Sequence, residues 1–386
     1  MVNRFQTVIS YIKMKIILLS LFCVSVALAY PNIRAEAEKC TPDKCSLKNN
    51  CACSSDESPI GDLSKTPQFV TLTFDDSVNA NDHDTHLTRL LFNRKNADGS
   101  PAGASFYIPH QYTDYSKVNN LYNKGFDIGV NSITKGTADY FANATVNTLV
   151  DEFNGQRVIL STFANIPIGD IQGVRTPHFE IAGDRTFEAY IKSGLKYDNS
   201  MPTNVDQPFY PYTTDYKSTQ PCIVAKCPTS SFAGFWVHPI INLLGDDEHS
   251  CNVLFGCNIE SSSAVDVRDW LIKQFERHYK KTKAPQTFLV NSAFFLLNEH
   301  ALDGLELFLN HLGTLKDTFL VSHREVNRWV KNPVPLDQYK PLVESRNAEC
   351  KSRTCALQFG EHEIRYMVSC VTCPDEYPWI GNPKGD

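Results

Sequence analysis

The sequence predicts an α/β fold, a distorted (β/α)7-8 barrel with disulfide-stapled N- and C-terminal extensions. Three observations predict it. Short apolar runs alternate with stretches of helical periodicity. Those runs are apolar on both faces, as parallel strands covered by helices are. Cysteines crowd both ends of the chain, while residues 54–221 hold none.

The predicted strands are FVTLTF (69–74), ASFYI (104–108), DIGV (127–130), GVR (173–175), LKY (195–197), GFWV (234–237), TFLV (287–290) and FLV (319–321). Helical spacing marks 145–164, 302–315 and 265–279, where Val267, Trp270, Leu271 and Phe275 share one face. Repeated βα units over this span suit a barrel. A doubly wound open sheet is the alternative architecture. No G-x-G-x-x-G follows any of these strands, so a dinucleotide fold has no support.

Of 386 residues, 42% are hydrophobic and 21% charged, the balance of a globular chain with a full core. Disorder, collagen and multi-span membrane proteins are excluded. The net charge is −6 and no basic block occurs, so nucleic acid is not an expected partner.

Residues 16–29 read IILLSLFCVSVALA, preceded by Lys13 and Lys15 and ending in Ala27-Leu28-Ala29. A basic start, a short apolar run and an A-x-A end predict a signal peptide over 1–29, with Met14 an alternative start. No other stretch is long enough to cross a membrane. The expected product is secreted, extracellular and free of the membrane. The expected parts are an N-terminal extension over 30–66, a barrel over 67–336 and a C-terminal extension over 337–386.

Of the 13 cysteines, Cys23 leaves with the signal, and an even number remains. In an exported chain that predicts disulfides. The groups are Cys40, Cys45, Cys51, Cys53; Cys222 and Cys227; Cys251 and Cys257; Cys350, Cys355, Cys370, Cys373. The simple expectation is that the two chain ends are stapled near each other. Zinc held by Cys370-x-x-Cys373 is the competing expectation. Spacing does not fix the pairing.

In a barrel, chemistry sits at the C-terminal ends of strands. Those positions carry Asp75 and Asp76, Pro109 and His110, Asn131, Arg175, Asp198, His238, Asn291, and Ser322 with His323.

TFDD (73–76), Arg175-Thr176-Pro177 and YDNSMPT (197–203) resemble the metal-dependent polysaccharide deacetylase domain, carbohydrate esterase family 4. YTDYSKVNNLYNKGFDIG (112–129), FANIPIGDIQGVR (163–175), RWVKNP (328–333) and the terminal cysteine clusters are similar to those of insect secreted chitin deacetylases. The resemblance implies a divalent metal, usually zinc, held by one aspartate and two histidines. A second aspartate activates water, a late-strand histidine protonates the leaving amine, and an arginine orients the base. Asp75 matches the base, Asp76 the ligand and Arg175 the orienting arginine.

Three positions depart from that pattern. The metal motif should read His-Ser/Thr-x-x-His; here it reads Asn131-Ser132-Ile133-Thr134-Lys135. Asn291, in LVNSAFF, stands where the late-strand histidine is expected. An asparagine oxygen is a poor zinc ligand beside imidazole. An ammonium has no lone pair to offer. The expectation is that zinc is lost, with no cofactor, and that Lys135 replaces the metal as the positive partner of Asp76.

A rearranged metal site is the alternative, which would leave an active deacetylase. Its candidates are Asp82-His83-Asp84-x-His86, and a set of Asp76, His178 and His238.

Sugar binding needs aromatic faces, and Tyr107, Tyr112, Tyr115, Phe179, Tyr210, Tyr212 and Trp236 are candidates, with His178 and Met201 beside them. The aromatic loop 204–216 is expected to form one wall. No six-cysteine chitin-binding module is visible. Asn143-Ala144-Thr145 is a glycosylation sequon. The expected partner is chitin or another N-acetylglucosamine polymer, in a matrix such as cuticle or the peritrophic lining of the gut. Oligomeric state is not legible.

Overall fold

The computed structural model describes residues 35–386, so the predicted signal segment and Cys23 lie outside the described residues. Residues 37–386 form one compact unit. Its first strand, β1 (Gln68–Phe74), is buried at every position. A strand apolar enough to be covered on both faces belongs inside a parallel sheet. The strands after it are β2 (Ser105–Ile108), β3 (Asp127–Val130), β4 (Gly173–Val174), β5 (Tyr197–Asp198), β6 (Tyr212–Thr214), β7 (Phe232–Val237), β8 (Gln286–Val290) and β9 (Thr318–Leu320). They pair in the order β8-β1-β2-β3-β4-β5-β7-β6, with β9 also on β1. Every pair is parallel except β6 with β7. Among the described strands, β8 and β6 do not pair with one another.

Each run predicted as a strand contributes to one. Strand β6 was not predicted. It arises within the aromatic loop 204–216, where Thr213 N donates to Ala52 O at 2.9 Å and Tyr210 N to Ser55 O at 2.8 Å. The N-terminal extension thus fixes this edge.

The placement of β9 corrects one expectation. It pairs with Gln68–Val70, at the start of β1. Neither Ser322 nor His323 therefore lies at the mouth: His323 is buried in the interior, and Ser322 is half-buried at the start of the helix that follows. His323 Nε2 is 3.1 Å from Thr71 Oγ1 and 3.1 Å from Thr287 Oγ1.

The principal helices are α1 (Tyr115–Asn123), α2 (Val146–Phe163), α3 (Asp184–Lys192), α4 (Ala264–Tyr279), α5 (Ala301–Leu312) and α6 (His323–Lys331). Asp114, Thr145, Ser263 and Ser322 cap α1, α2, α4 and α6 by accepting amide hydrogens that the first turn leaves unpaired. Interior tyrosines need space beside them. A Cβ on Gly173 would come within 2.4 Å of the Tyr197 ring, so only glycine fits there. None of the described helices is long and apolar enough to cross a membrane.

Six disulfides form: Cys40–Cys53, Cys45–Cys51, Cys222–Cys227, Cys251–Cys257, Cys350–Cys370 and Cys355–Cys373. Every bridge stays within its own cysteine group, which corrects the expectation that one chain end is stapled to the other. Cys370 and Cys373 belong to different bridges, so their sulfurs cannot hold zinc. The C-terminal hairpin, β10 (Arg353–Phe359) with β11 (Glu363–Ser369), is seated by Cys370 N on Phe163 O at 2.8 Å. It is also seated through the segment after it, by Tyr377 packed on His110 at 4.7 Å.

Candidate functional site

The turn after β1 carries Asp75 and Asp76, both half-buried. Lys135 Nζ lies 2.9 Å from Asp76 Oδ1 and 3.0 Å from the backbone oxygen of Asp75. The other Asp76 oxygen accepts from Ser292 N at 2.9 Å. Burial pushes the Asp76 carboxyl up, but the Lys135 ammonium and the Ser292 hydrogen bonds outweigh it and hold the group below the usual range. For Asp75 the balance is opposite. Burial raises it, and the charges of Arg175 and Lys135 only partly compensate.

The loop after β3 aims Lys135. Ile133 N and Thr134 N donate to Glu152 Oε2 at 2.9 and 3.0 Å, and Thr134 Oγ1 to Glu152 Oε1 at 2.6 Å. Lys135 N donates to Ser132 Oγ at 2.9 Å. Lys135 itself sits at φ 47°, in the left-handed region. Asn131 Nδ2 donates to Arg175 O at 2.9 Å, which ties this loop to the end of β4.

Arg175 is fully buried. Its Nε donates to Asn199 O at 3.0 Å, and its Nη2 to Thr73 Oγ1 at 2.9 Å and to Asn199 Oδ1. Its guanidinium lies 4.5 Å from the centre of the Tyr107 ring. All its hydrogen bonds go to neutral partners. Its influence on Asp75 is therefore through space, and burial lowers its own pKa while Asp75 raises it.

These donors do not fit a zinc ion. Both Asp76 oxygens are engaged, one by a cation. The Oδ1 atoms of Asn131 and Asn291 are buried and form no hydrogen bond. Among the described residues, the one convergence of metal-type ligand atoms is Cys40, Cys45 and Cys53, whose sulfurs are already in disulfides.

The histidines proposed to rebuild a site do not converge on one point with two further ligand atoms: His83 and His86 pair separately within their own candidate set, and the other two have other partners. His83 contacts Asp84 at 2.6 Å and Asn120 at 3.1 Å, and His86 contacts Asp82 at 3.0 Å. His178, exposed and at φ 57°, bonds Gly136 O at 3.0 Å. His238 is buried, bonds Asn327 at 3.3 Å and packs on Tyr197, and burial pulls its pKa down to about 3. Asp76, His178 and His238 are not brought together.

The aromatic candidates divide sharply. Tyr112 is 85% exposed, on the loop after β2, at φ 65°. Tyr115, Phe179, Met201 and Trp236 are buried, as are Tyr107, Tyr210 and Tyr212. This corrects their assignment as sugar-facing groups. Tyr115 faces inward because its hydroxyl pairs with His110 Nδ1 at 2.6 Å, and Tyr210 because its hydroxyl donates to Thr282 O at 2.7 Å. Trp236 lies within β7, with no exposed face. Asp198 is also interior, held by Ser200 and Tyr190, and burial raises it to about 6.

Sequence reasoning missed Ser292, Glu152 and Asn199. Glu152 had a signal: it sits between Leu149 and Phe153 on the apolar face of α2, where an acid needs partners. Ser292 and Asn199 had none beyond adjacency to strand ends.

No family model matches the chain. The chain is 38% identical over 360 residues to chitin deacetylase 8 of Bombyx mori, covering 90% of this chain and 94% of that protein. It is 32% identical over 377 residues to chitin deacetylase 1 of Bombyx mori, covering 91% and 69%. Among solved structures it is similar to a family 4 carbohydrate esterase from Streptomyces lividans in complex with acetate, at 13% identity and TM-score 0.36, over 65% of this chain and 91% of that one. It is likewise similar to the peptidoglycan deacetylase PdaC of Bacillus subtilis, at 14% identity and TM-score 0.36, over 70% and 94%. The chain belongs to the chitin deacetylase-like family of polysaccharide deacetylases.

Proposed function

We propose that the chain is a secreted, chitin-associated protein that binds chitin or chito-oligosaccharides in an extracellular matrix and is catalytically impaired. One observation carries this reading: the Lys135 ammonium, 2.9 Å from Asp76, stands where the resembling family needs an imidazole and a metal. An ammonium cannot ligate a metal ion and repels a cation placed beside it. Without a metal, nothing on this side of the cleft polarises an acetyl carbonyl as a Lewis acid would. Asn291, in turn, has no proton to give a departing amine.

Relatives named chitin deacetylase support the choice of polymer. The disulfides, together with the predicted signal segment, support export. We read residues 67–336 as a barrel left open between β8 and β6, on which 30–66 and 337–386 pack. The reach of Arg175, after β4, to Thr73 in β1 supports that curvature.

The test is metal analysis of the purified protein after dialysis, paired with chitin pull-down and acetate release from chito-oligosaccharides. The expected result is chitin retention with no stoichiometric zinc and negligible acetate. Retained zinc with steady acetate release would overturn the impaired reading, and failure to sediment with chitin would overturn the binding one.

A further inference from the structure

We infer that Lys135 is a specificity-determining residue: its ammonium donates a hydrogen bond to the carbonyl oxygen of an acetamido group, so the cleft selects N-acetylglucosamine polymers over glucosamine polymers. This rests on the chitin-binding reading and deepens it. The mismatch between these residues and a metal ion is its starting point. What replaces the ion is a second kind of carbonyl-seeking group.

An ammonium carries three N–H donors and no acceptor. Two of the Lys135 donors are used, one on Asp76 Oδ1 at 2.9 Å and one on Asp75 O at 3.0 Å. No third hydrogen bond from Nζ is formed with the described residues. The side chain is 37% exposed, so the remaining donor is left to solvent or to a ligand that approaches Asp76 from outside. A bond from a charged donor to a carbonyl is stronger than one between neutral groups.

The donor is also held in place. Lysine at φ 47° persists only where its surroundings impose that backbone, and such outliers collect at ligand-binding positions. Here Ser132 Oγ takes the Lys135 amide at 2.9 Å. Glu152 fixes the two residues before it, and His178 Nε2 bonds the following carbonyl, Gly136 O, at 3.0 Å.

Charge gives the discrimination its sign. A glucosamine unit brings an ammonium of its own, which cannot accept from Lys135 and is repelled by it at contact, while Asp76 is already paired with Lys135. An N-acetylglucosamine unit brings a neutral carbonyl that accepts. Removing Lys135 leaves Asp76 without its counter-cation, held only by the Ser292 amide, which favours the cationic sugar.

The experiment is calorimetric titration of the whole secreted chain with the pentamers of N-acetylglucosamine and of glucosamine. The wild type is expected to prefer the acetylated pentamer by about tenfold or more, the scale of one charge-assisted hydrogen bond. Lys135→Met, which keeps the stem and removes the donors, is expected to lose that preference or reverse it. Lys135→Arg keeps charge and donors and is expected to retain it, which controls for a variant that fails to fold. Equal binding of both pentamers by the wild type, or an unchanged preference in folded Lys135→Met, would overturn this inference alone. Binding of neither pentamer would overturn the chitin-binding reading and this inference with it.

Discussion

Tyr107 Oη and His323 Nδ1 lie 2.6 Å apart in the interior of the sheet, and the other nitrogen of that ring is 3.1 Å from Thr71 Oγ1 and Thr287 Oγ1. The His238 ring packs on His323 at 5.1 Å, and Arg175 lies over Tyr107. Burial disfavours a further cation here, and at His323 the neighbouring charge of Arg175 adds to it, so both histidines are held neutral. Burial takes His238 down to about 3 and His323 well below its ordinary value.

Acid should therefore destabilise the protein in a defined window. The unfolded histidines protonate near 6.5, the folded ones only far lower. Between about 6.5 and 3 the unfolded state binds more protons, and stability falls as pH falls. Asp198, raised to about 6, works against this between about 4 and 6, because there the folded state holds the extra proton. Urea unfolding at pH 7.5, 6.5, 5.5 and 4.5 is expected to show a falling midpoint. His238→Gln is expected to flatten the fall, and an unchanged slope in that variant would refute the assignment.

This interior network also marks where the sequence stopped being readable. The strands were legible because doubly covered parallel strands are written as continuous apolar runs, and Asp75, Asp76 and Arg175 because they end such runs. Tyr115 was misread because a buried tyrosine differs from a sugar-stacking one in whether its hydroxyl finds an internal partner, and Trp236 because packing within β7 buries it although its Nε1 has no partner. His110 was that partner for Tyr115, and it lies across a turn that spacing alone does not close. His323 was misplaced because the level at which β9 meets β1 is set by packing: Phe69 stands 5.1 Å from Trp329 of α6.

Arg175 should matter more for folding than for contact with a ligand. It is buried, and Thr73 and both the backbone and side chain of Asn199 depend on it. Arg175→Met keeps most of the volume but leaves those acceptors unpaired, at a cost of roughly 3 kcal/mol. Chemical denaturation reads this directly. A change below roughly 1 kcal/mol would mean that water substitutes for the guanidinium.

Tyr112 combines 85% exposure with a left-handed backbone at φ 65°. Its loop is fixed on both sides: Ser77 Oγ donates to Gln111 O at 2.5 Å, and Asp114 N donates to Val78 O at 2.8 Å. Glycine adopts this φ without strain, so Tyr112→Gly should stabilise the fold by up to about 1 kcal/mol, less the entropy that glycine adds to the unfolded chain. If the ring is a sugar platform, the same variant should bind chito-oligosaccharides several-fold more weakly. Thermal melting and titration on one sample separate the two effects. Unchanged affinity would remove Tyr112 from the binding surface.

Restoring the residues the resembling family carries asks whether the loss is confined to them. The backbone of the metal loop is still held, because Glu152 bonds Ile133 N and Thr134 N at 2.9 and 3.0 Å. Histidine is among the residues that tolerate the left-handed φ of position 135. Asn131→His, Lys135→His and Asn291→His together remove the ammonium from Asp76 and supply three imidazoles. The expected outcome is close to one zinc per chain after dialysis, read by elemental analysis. Lys135→His alone offers Asp76 a single imidazole and should bind zinc far more weakly. The Ser292 amide, 2.9 Å from Asp76 Oδ2, still orients the carboxylate in every variant. A triple variant that melts like the wild type yet takes up no zinc would show that the residues behind the ligands have changed as well, since such supporting contacts alone shift metal affinity by about 10–100-fold.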